Sequence, residues 1–278
     1  MVRLSLFRFT FNACRKDAKC SSHEGNKMVP SLRKALNKMR DPSLAGKLRV
    51  AYGNDLDKLF LNFKEDYKKR LGMREMAEPS AIANTIAQKN IEYAINATIT
   101  IPSKSVINRN VAKGYTAGAV RGTTFLNAAG VKVAYSQMPV DQKVISILEE
   151  RNISDLDGIT TKMSSDIMRS ISDGVMDGRG IESIARDIDE TIDGIGRDRA
   201  RLLARTETMT AFNRAALTQY DKIGVDEVEW YTSHLENVCE DCESLDGQKF
   251  AMGEAPPCPY HPNCPCILLP VIETGVKG

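Results

Sequence analysis

The sequence is poor in histidine, with three in 278 residues, and poor in aromatic residues, which make up 6% with a single tryptophan. Three imidazoles leave little for a catalytic centre once any of them is taken as a metal ligand. No apolar run approaches the roughly 20 residues a membrane span needs. Residues 1–11 alternate apolar and basic side chains but lack a continuous apolar stretch and a small-residue cleavage site, so no secretory signal is read. No internal repeat is evident. Overall charge of one sign is also missing, the formal net being +2. What remains is ordinary for a folded chain: 42% apolar and 27% charged residues, at a length suggesting about two domains. That is enough chain to bury a core of its own.

The charge is unevenly placed. Residues 1–50 carry twelve Lys and Arg against Asp17, Glu24 and Asp41, a balance of +9. From Asp226 onward, ten acidic residues face only Lys249 and Lys277, a balance of −8. The basic end suits nucleic acid or an acidic partner, or is a solvated arm; the acidic end should repel DNA.

Apolar spacing predicts a mainly α protein: a helical N-terminal region, a helical middle, and a small α+β module stapled by zinc at the end. Leu56, Leu59, Phe60, Phe63, Tyr67 and Leu71 mark an amphipathic helix over 54–71, with Lys58, Lys64, Lys68 and Lys69 on its wet side. Ile82, Ile86 and Tyr93 mark a second over 79–97. Gly114, Gly118 and Gly122 weaken the next stretch, which reads as a loosely helical connector in preference to a close helix–helix contact. Residues 130–139 read as an extended link. The resulting division is a basic arm at 1–50, a helical domain at 51–139, and a C-terminal domain at 140–278 with the zinc module at about 225–270. Within the last, Met163, Ile167, Ile171 and Val175 mark one helix, and Ile181, Ile184, Ala185, Ile188 and Ile192 another. A third over 196–223, the longest of the three, is stopped by Gly224. Residues 225–232 alternate as a strand, with Val228, Trp230 and Thr232 on one side. The rest is turn-rich.

Five of seven cysteines fall between Cys239 and Cys266. Without a secretory signal, clustered cysteines read as metal ligands before disulfides. Cys239-Glu-Asp-Cys242 points two thiolates at one centre, and Cys258-Pro-Tyr-His261-Pro-Asn-Cys264-Pro-Cys266 supplies the remainder. Cys239, Cys242 and His261 are three ligands; Cys264 and Cys266 compete for the fourth place, with Cys258 behind them. A filled Cys₃His shell is structural, whereas a catalytic zinc keeps a position open for water. Apolar material over 238–268 is scarce beyond Leu245, Phe250 and Ile267, so metal would supply the folding energy, on the order of 10 kcal/mol or more. A thioredoxin-type role for the Cys-x-x-Cys lacks the βαβ unit it needs. His234 reads as a surface histidine, and Cys14, Cys20 and His23 offer only three donors.

The third helix carries Arg201-Leu-Leu-Ala-Arg205-Thr206-Glu207-Thr208, then Ala211 and Asn213. With the Trp-containing strand, Cys239-x-x-Cys242, Asp246-Gly247 and His261-Pro262-Asn263-Cys264-x-Cys266, in that order over about 140–270, it resembles the phage Mu F-type head morphogenesis family. Pro265 stands where members usually carry Arg. The resemblance implies a structural, non-enzymatic minor head protein of a tailed bacteriophage. It would be made in the bacterial cytoplasm and built into the head interior. Its implied partners are the portal protein at the portal vertex and the scaffolding and major capsid proteins, with no membrane contact. It would contribute to head assembly and DNA packaging or ejection. Packaged DNA would be met through the basic arm. Arg201 and Arg205 share one helix face while Glu207 points elsewhere. Arg205 and Glu207 are expected to hold the zinc module to the preceding helices through charged hydrogen bonds.

Two rivals are weaker. A His-Asn-His-type nuclease would need His261 for chemistry when it is better used as a ligand, and no separate carboxylate–histidine set accompanies it; no catalytic residue is assigned. A zinc-finger reader of nucleic acid needs Lys and Arg beside the metal, where this chain is acidic.

Overall fold

The computed structural model describes residues 30–39, 41–71, 81–134, 140–232 and 238–272. Helix α1 (Pro30–Leu36) precedes α2 (Gly46–Leu71), which begins ahead of the predicted 54 because Asp41 caps it. The Gly46 amide donates to Asp41 Oδ2 at 2.7 Å and the Ser43 amide to Oδ1 at 3.1 Å. The predicted stripe Leu56, Leu59, Phe60, Phe63 and Tyr67 is buried. Lys64, predicted wet, instead donates to Asp193 at 2.9 Å with its side chain 17% exposed. The side chain of Leu71, like those of Ile82, Ile86 and Ile181, lies outside the described residues.

Helix α3 (Ala81–Ile95) passes through a π-helical turn, Asn96–Thr100, into α4 (Ile101–Ala128). Pro102 cannot donate the regular helical bond, and the wider turn before it accommodates the ring. Tyr93, predicted inside, is 65% exposed. The buried positions are Ile91, Ala94, Ile95 and Ile99, and Tyr93 falls on the opposite side of that stripe.

Helix α5 (Gln142–Met176), at 35 residues, is longer than α7 (Arg199–Lys222), against the predicted ranking. Its N-terminal half buries Ile145, Leu148 and Leu156 together with polar Asn152 and Thr160, which hide the apolar period. Asp141 caps it, accepting from the Lys143 and Val144 amides. Helix α6 (Ile181–Thr191) runs through a second π-helical turn, Ile192–Asp198, into α7. Gly224, at φ +70°, ends α7 and lets the Val225 amide reach the Tyr220 carbonyl at 3.1 Å.

The stretch predicted as a loose connector is the regular helix α4, packed along α7. Gly114, Gly118 and Gly122 face Ala211, Phe212 and Ala216. A Cβ on Gly118 would sit 2.6 Å from the Phe212 Cα, so here backbone lies against backbone. Lost helix propensity is offset by packing that a larger residue would prevent.

The main core joins α2, α3, α4, α5, α6 and α7, with Phe60, Phe63, Ile107, Tyr115, Met163 and Ile188 among its members. It draws on residues from both sides of position 139. The C-terminal sheet has the order β2-β1-β3, all antiparallel: β1 is Glu227–Tyr231, β2 Lys249–Ala251 and β3 Ile267–Val271. As the middle strand, β1 is buried on both faces. Val228 and Trp230 meet Leu126, Ala216 and Tyr220; Tyr231 meets Leu32, Leu36, Phe125 and Phe212. Residues 30–39 and 41–50, predicted as part of the basic arm, are therefore folded: Leu32, Leu36 and Ala45 bury against the sheet and helices. Residues 1–29 of that arm lie outside the described residues. Arg33 bonds Glu229 and Asp246 and lies over the Tyr231 ring at 5.4 Å. No helix among the described residues is long and apolar enough to cross a membrane.

Asp57 ties α2 to α7, accepting from Arg197 at 2.6 Å and 3.2 Å and from Arg201 at 3.0 Å. The Arg197 hydrogen bonds, reinforced by Arg201 against partial burial, hold the Asp57 carboxyl below its usual range.

Two tests follow from this packing. Gly118→Val should lower stability by about 2 kcal/mol or more through overpacking, whereas Gly158→Ala, which meets nothing within 4 Å, should raise it by up to ~1 kcal/mol; urea unfolding measures both. A depressed carboxyl stabilises the fold fully above its unfolded value, about 3.9, and loses that contribution as pH falls through the lower folded value. Asp57→Asn should accordingly flatten the acid side of a melting-temperature profile between about pH 2 and 5.

Candidate metal centre

Cys239 opens helix α8 (Glu240–Leu245) as its N-cap, and its sulfur accepts from the Cys242 amide at 3.4 Å. That one helical turn carries Cys242 back toward the same centre. The opposing knuckle is a four-residue turn. Pro262 and Asn263 occupy its middle, Asn263 has φ +63°, and the Cys264 amide donates to the His261 carbonyl at 3.1 Å. This matches a type II turn, which takes Pro second and a residue tolerant of left-handed backbone third. The motif His-Pro-Asn-Cys is thus turn chemistry that puts an imidazole and a thiol at its two ends.

The donors converge. His261 Nε2 is 3.2 Å from Cys239 Sγ and 3.3 Å from Cys242 Sγ; Cys242 Sγ is 3.6 Å from Cys264 Sγ. Zinc with arms of about 2.3 Å to sulfur and about 2.0 Å to nitrogen gives tetrahedral edges of ~3.8 Å and ~3.5 Å. The spacing and the donor chemistry therefore fit a metal ion. With Nδ1 protonated and donating to the Pro262 carbonyl at 2.9 Å, the ring turns an unprotonated Nε2 toward the sulfurs. All five predicted ligands lie together, in two groups: Cys239, Cys242 and His261, and Cys242, Cys264 and Cys266. Cys242, Cys264 and Cys266 are buried; Cys239 is half-buried. A hydrogen bond from the Cys266 thiol, helped by the Tyr260 and Cys266 amides, pulls the Cys264 thiol down to about 5 despite burial. Burial pushes the Cys242 and Cys258 thiols up. His234, Cys14, Cys20 and His23 lie outside the described residues.

Apolar surface absent from 238–268 is borrowed from elsewhere. Tyr220, Ala216 and Leu126 pack with Trp230, Leu268 and the cysteines, and Tyr260 meets the Trp230 ring edge-on at 6.3 Å. Two side chains of α7 hold the knuckle. Thr206 Oγ1 accepts from the Asn263 amide at 3.0 Å. Asn213 donates to the Cys266 carbonyl at 3.0 Å and to Cys258 Sγ at 3.3 Å, and accepts from the Leu268 amide at 3.4 Å.

The residues singled out for this linkage sit elsewhere. Arg205 is exposed. Arg201 bonds Asp57 and Asp198. Glu207 is buried and turned into the helices, accepting from Arg151 and, at 2.8 Å, from Asn152, whose amide oxygen in turn accepts from Tyr52 at 2.9 Å. Burial raises the Glu207 carboxyl, with Arg151 opposing. Glu207 therefore locks α7 to α5 and α2, while Thr206 and Asn213, seven residues apart on one helix face, reach the metal module. That seven-residue spacing was the signal available in the sequence.

Residues 165–269 match the family described as Phage Mu protein F like protein, the family the sequence resembles. No curated protein and no solved structure matches the chain.

Glu207→Ala should cost about 1–3 kcal/mol, less than a fully buried pair because Arg151 stays 45% exposed, and should leave cysteine reactivity unchanged. Asn213→Ala should cost a similar ~1–3 kcal/mol yet speed alkylation of the cysteines. Melting and thiol-labelling rates separate the two effects.

Proposed function

We propose that this chain is a structural minor head protein of a tailed bacteriophage, carried at the portal vertex inside the head, where it contributes to assembly and to DNA packaging or ejection. The family match over 165–269 is the observation that carries this reading. The metal chemistry agrees with a scaffold. Cys239, Cys242, His261 and Cys264 would hold zinc, and Cys266 and Cys258 stand behind them. More donors are at hand than one tetrahedral ion takes, so no position need be left for water. Zinc there would cross-link α8, the His261–Cys264 turn and, through Thr206 and Asn213, helix α7. The chain's own role is thus to orient one rigid body on another and not to turn over a substrate.

The portal protein is the expected partner, with scaffolding and major capsid proteins as further contacts. Packaged DNA would be met through the basic N-terminal arm, residues 1–50, with salt-sensitive and sequence-independent affinity.

Elemental analysis of the purified full chain should find bound zinc, and strong chelation should expose the cysteines while the helices stay folded. In phage carrying Cys239→Ser, head reconstruction without imposed high symmetry should lose density at the portal vertex. Wild-type protein spread evenly over the shell, or missing from heads, would count against the assignment.

A further inference from the structure

We propose that helix α1 is an exchangeable strap. In a second copy of this chain it takes the seat it holds here on the sheet, giving a two-fold dimer joined through the turn at Asp41–Gly46.

The seat specifies its occupant. Leu32 and Leu36, one helical turn apart, bury with Phe125, Phe212, Tyr231 and Leu269. Between them Arg33 bonds the buried Glu229 and Asp246. The Tyr231 hydroxyl donates to Asn37 Oδ1 at 2.8 Å. An occupant must therefore bring two aliphatic side chains and a guanidinium in this register, since one without the cation would leave Glu229 buried and unpaired. Helix α1 meets that requirement. Its contacts reach residues 125–269, and none of them requires that both sides belong to the same molecule.

The turn between α1 and α2 is the strained part. One carboxylate holds it closed: Asp41 accepts from the Ser43 amide at 3.1 Å, the Gly46 amide at 2.7 Å and Arg49 at 3.3 Å. Leu44 is forced to φ +58°, a left-handed conformation that its Cβ disfavours. Its side chain is 60% exposed, so little packing offsets the strain. Pro42 also favours extended backbone in the residue before it. Opening the turn gives up the Asp41 cap but releases Leu44, and residues 43–45 can then lengthen α2. A short hinge under strain is where identical elements exchange between copies, because every other contact is kept. Loss of freedom on association opposes the exchange, which makes it depend on concentration.

The test uses the full chain, half of it labelled with nitrogen-15, incubated at rising concentration. Light scattering on a sizing column gives the mass. A lysine cross-linker then joins Lys34 of α1 to Lys249, which lies opposite Glu229 in the sheet. A dimer fraction that grows with concentration is expected, with Lys34–Lys249 links of mixed isotope in the dimer. Leu44→Gly, which relieves the closed turn, should raise the dissociation constant about tenfold. Gly46→Ala, whose Cβ would sit 2.8 Å from Asp41 Oδ2, should lower it several-fold. Wild type that stays monomeric at every concentration overturns the proposal. So does a dimer whose Lys34–Lys249 links never mix isotopes. Neither result touches the family or metal readings, and the wild-type measurement decides even where a variant fails to fold.

Discussion

Backbone-to-backbone contact between α4 and α7 at Gly118 is the constraint on which the remaining geometry depends. It fixes α7, and each side of α7 then serves a different neighbour. Ala211 and Ala216 take the glycine face of α4. Arg201, with Arg197 in the turn before it, takes Asp57 of α2. Glu207 takes Arg151 and Asn152 of α5. Thr206 and Asn213 take the knuckle. The candidate metal centre thus inherits its position from a helix pair whose closeness no side chain larger than hydrogen would permit.

How much of this was legible in the sequence follows from how local each cause is. Cys-x-x-Cys and His-Pro-Asn-Cys are turn chemistry, settled within four residues, and their convergence was readable. The apolar stripe of α2 was equally plain. Three features were hidden because their causes lie in distant partners. The glycines of α4 lower helix propensity locally and repay it only against α7. Asn152 interrupts the period of α5 because two neighbouring helices, α7 and α2, supply Glu207 and Tyr52 as its hydrogen-bond partners. Strand β3, Ile267-Leu-Leu-Pro-Val271, shows no alternation because every residue in it is buried, and β2 is only three residues long. The linkage assigned to Arg205 and Glu207 failed for a related reason. Charge was taken as the sign of an inter-module contact, while the residues that make it, Thr206 and Asn213, are neutral. Neutral groups serve there because the knuckle offers backbone amides and carbonyls, not ions.

The C-terminal module shows how a small, polar segment acquires a fixed shape. Its apolar side is lent by Tyr220, Ala216 and Leu126, and its turns are closed by sulfur and imidazole groups facing one centre. Burial without the sulfur centre would leave the loop between β2 and β3 poorly specified. The sulfur centre without burial would leave a knot free to swivel on α7. The two constraints act on different degrees of freedom, one on the loop's own shape and the other on its bearing relative to the helices.

The seating of α1 on the sheet brings the first described helix against the last described strand, through Leu32, Leu36, Ile267 and Leu269 and through Arg33 with Glu229 and Asp246. The fold is a loop closed on itself, with both ends of the described chain gathered at one pole. Tension applied between residue 30 and residue 272 would therefore run across the seam of α1 on the sheet, where Arg33, Leu32 and Leu36 are joined by the Tyr231 hydroxyl donating to Asn37 at 2.8 Å, and would reach α4 and α7 only through Phe125, Met209 and Phe212.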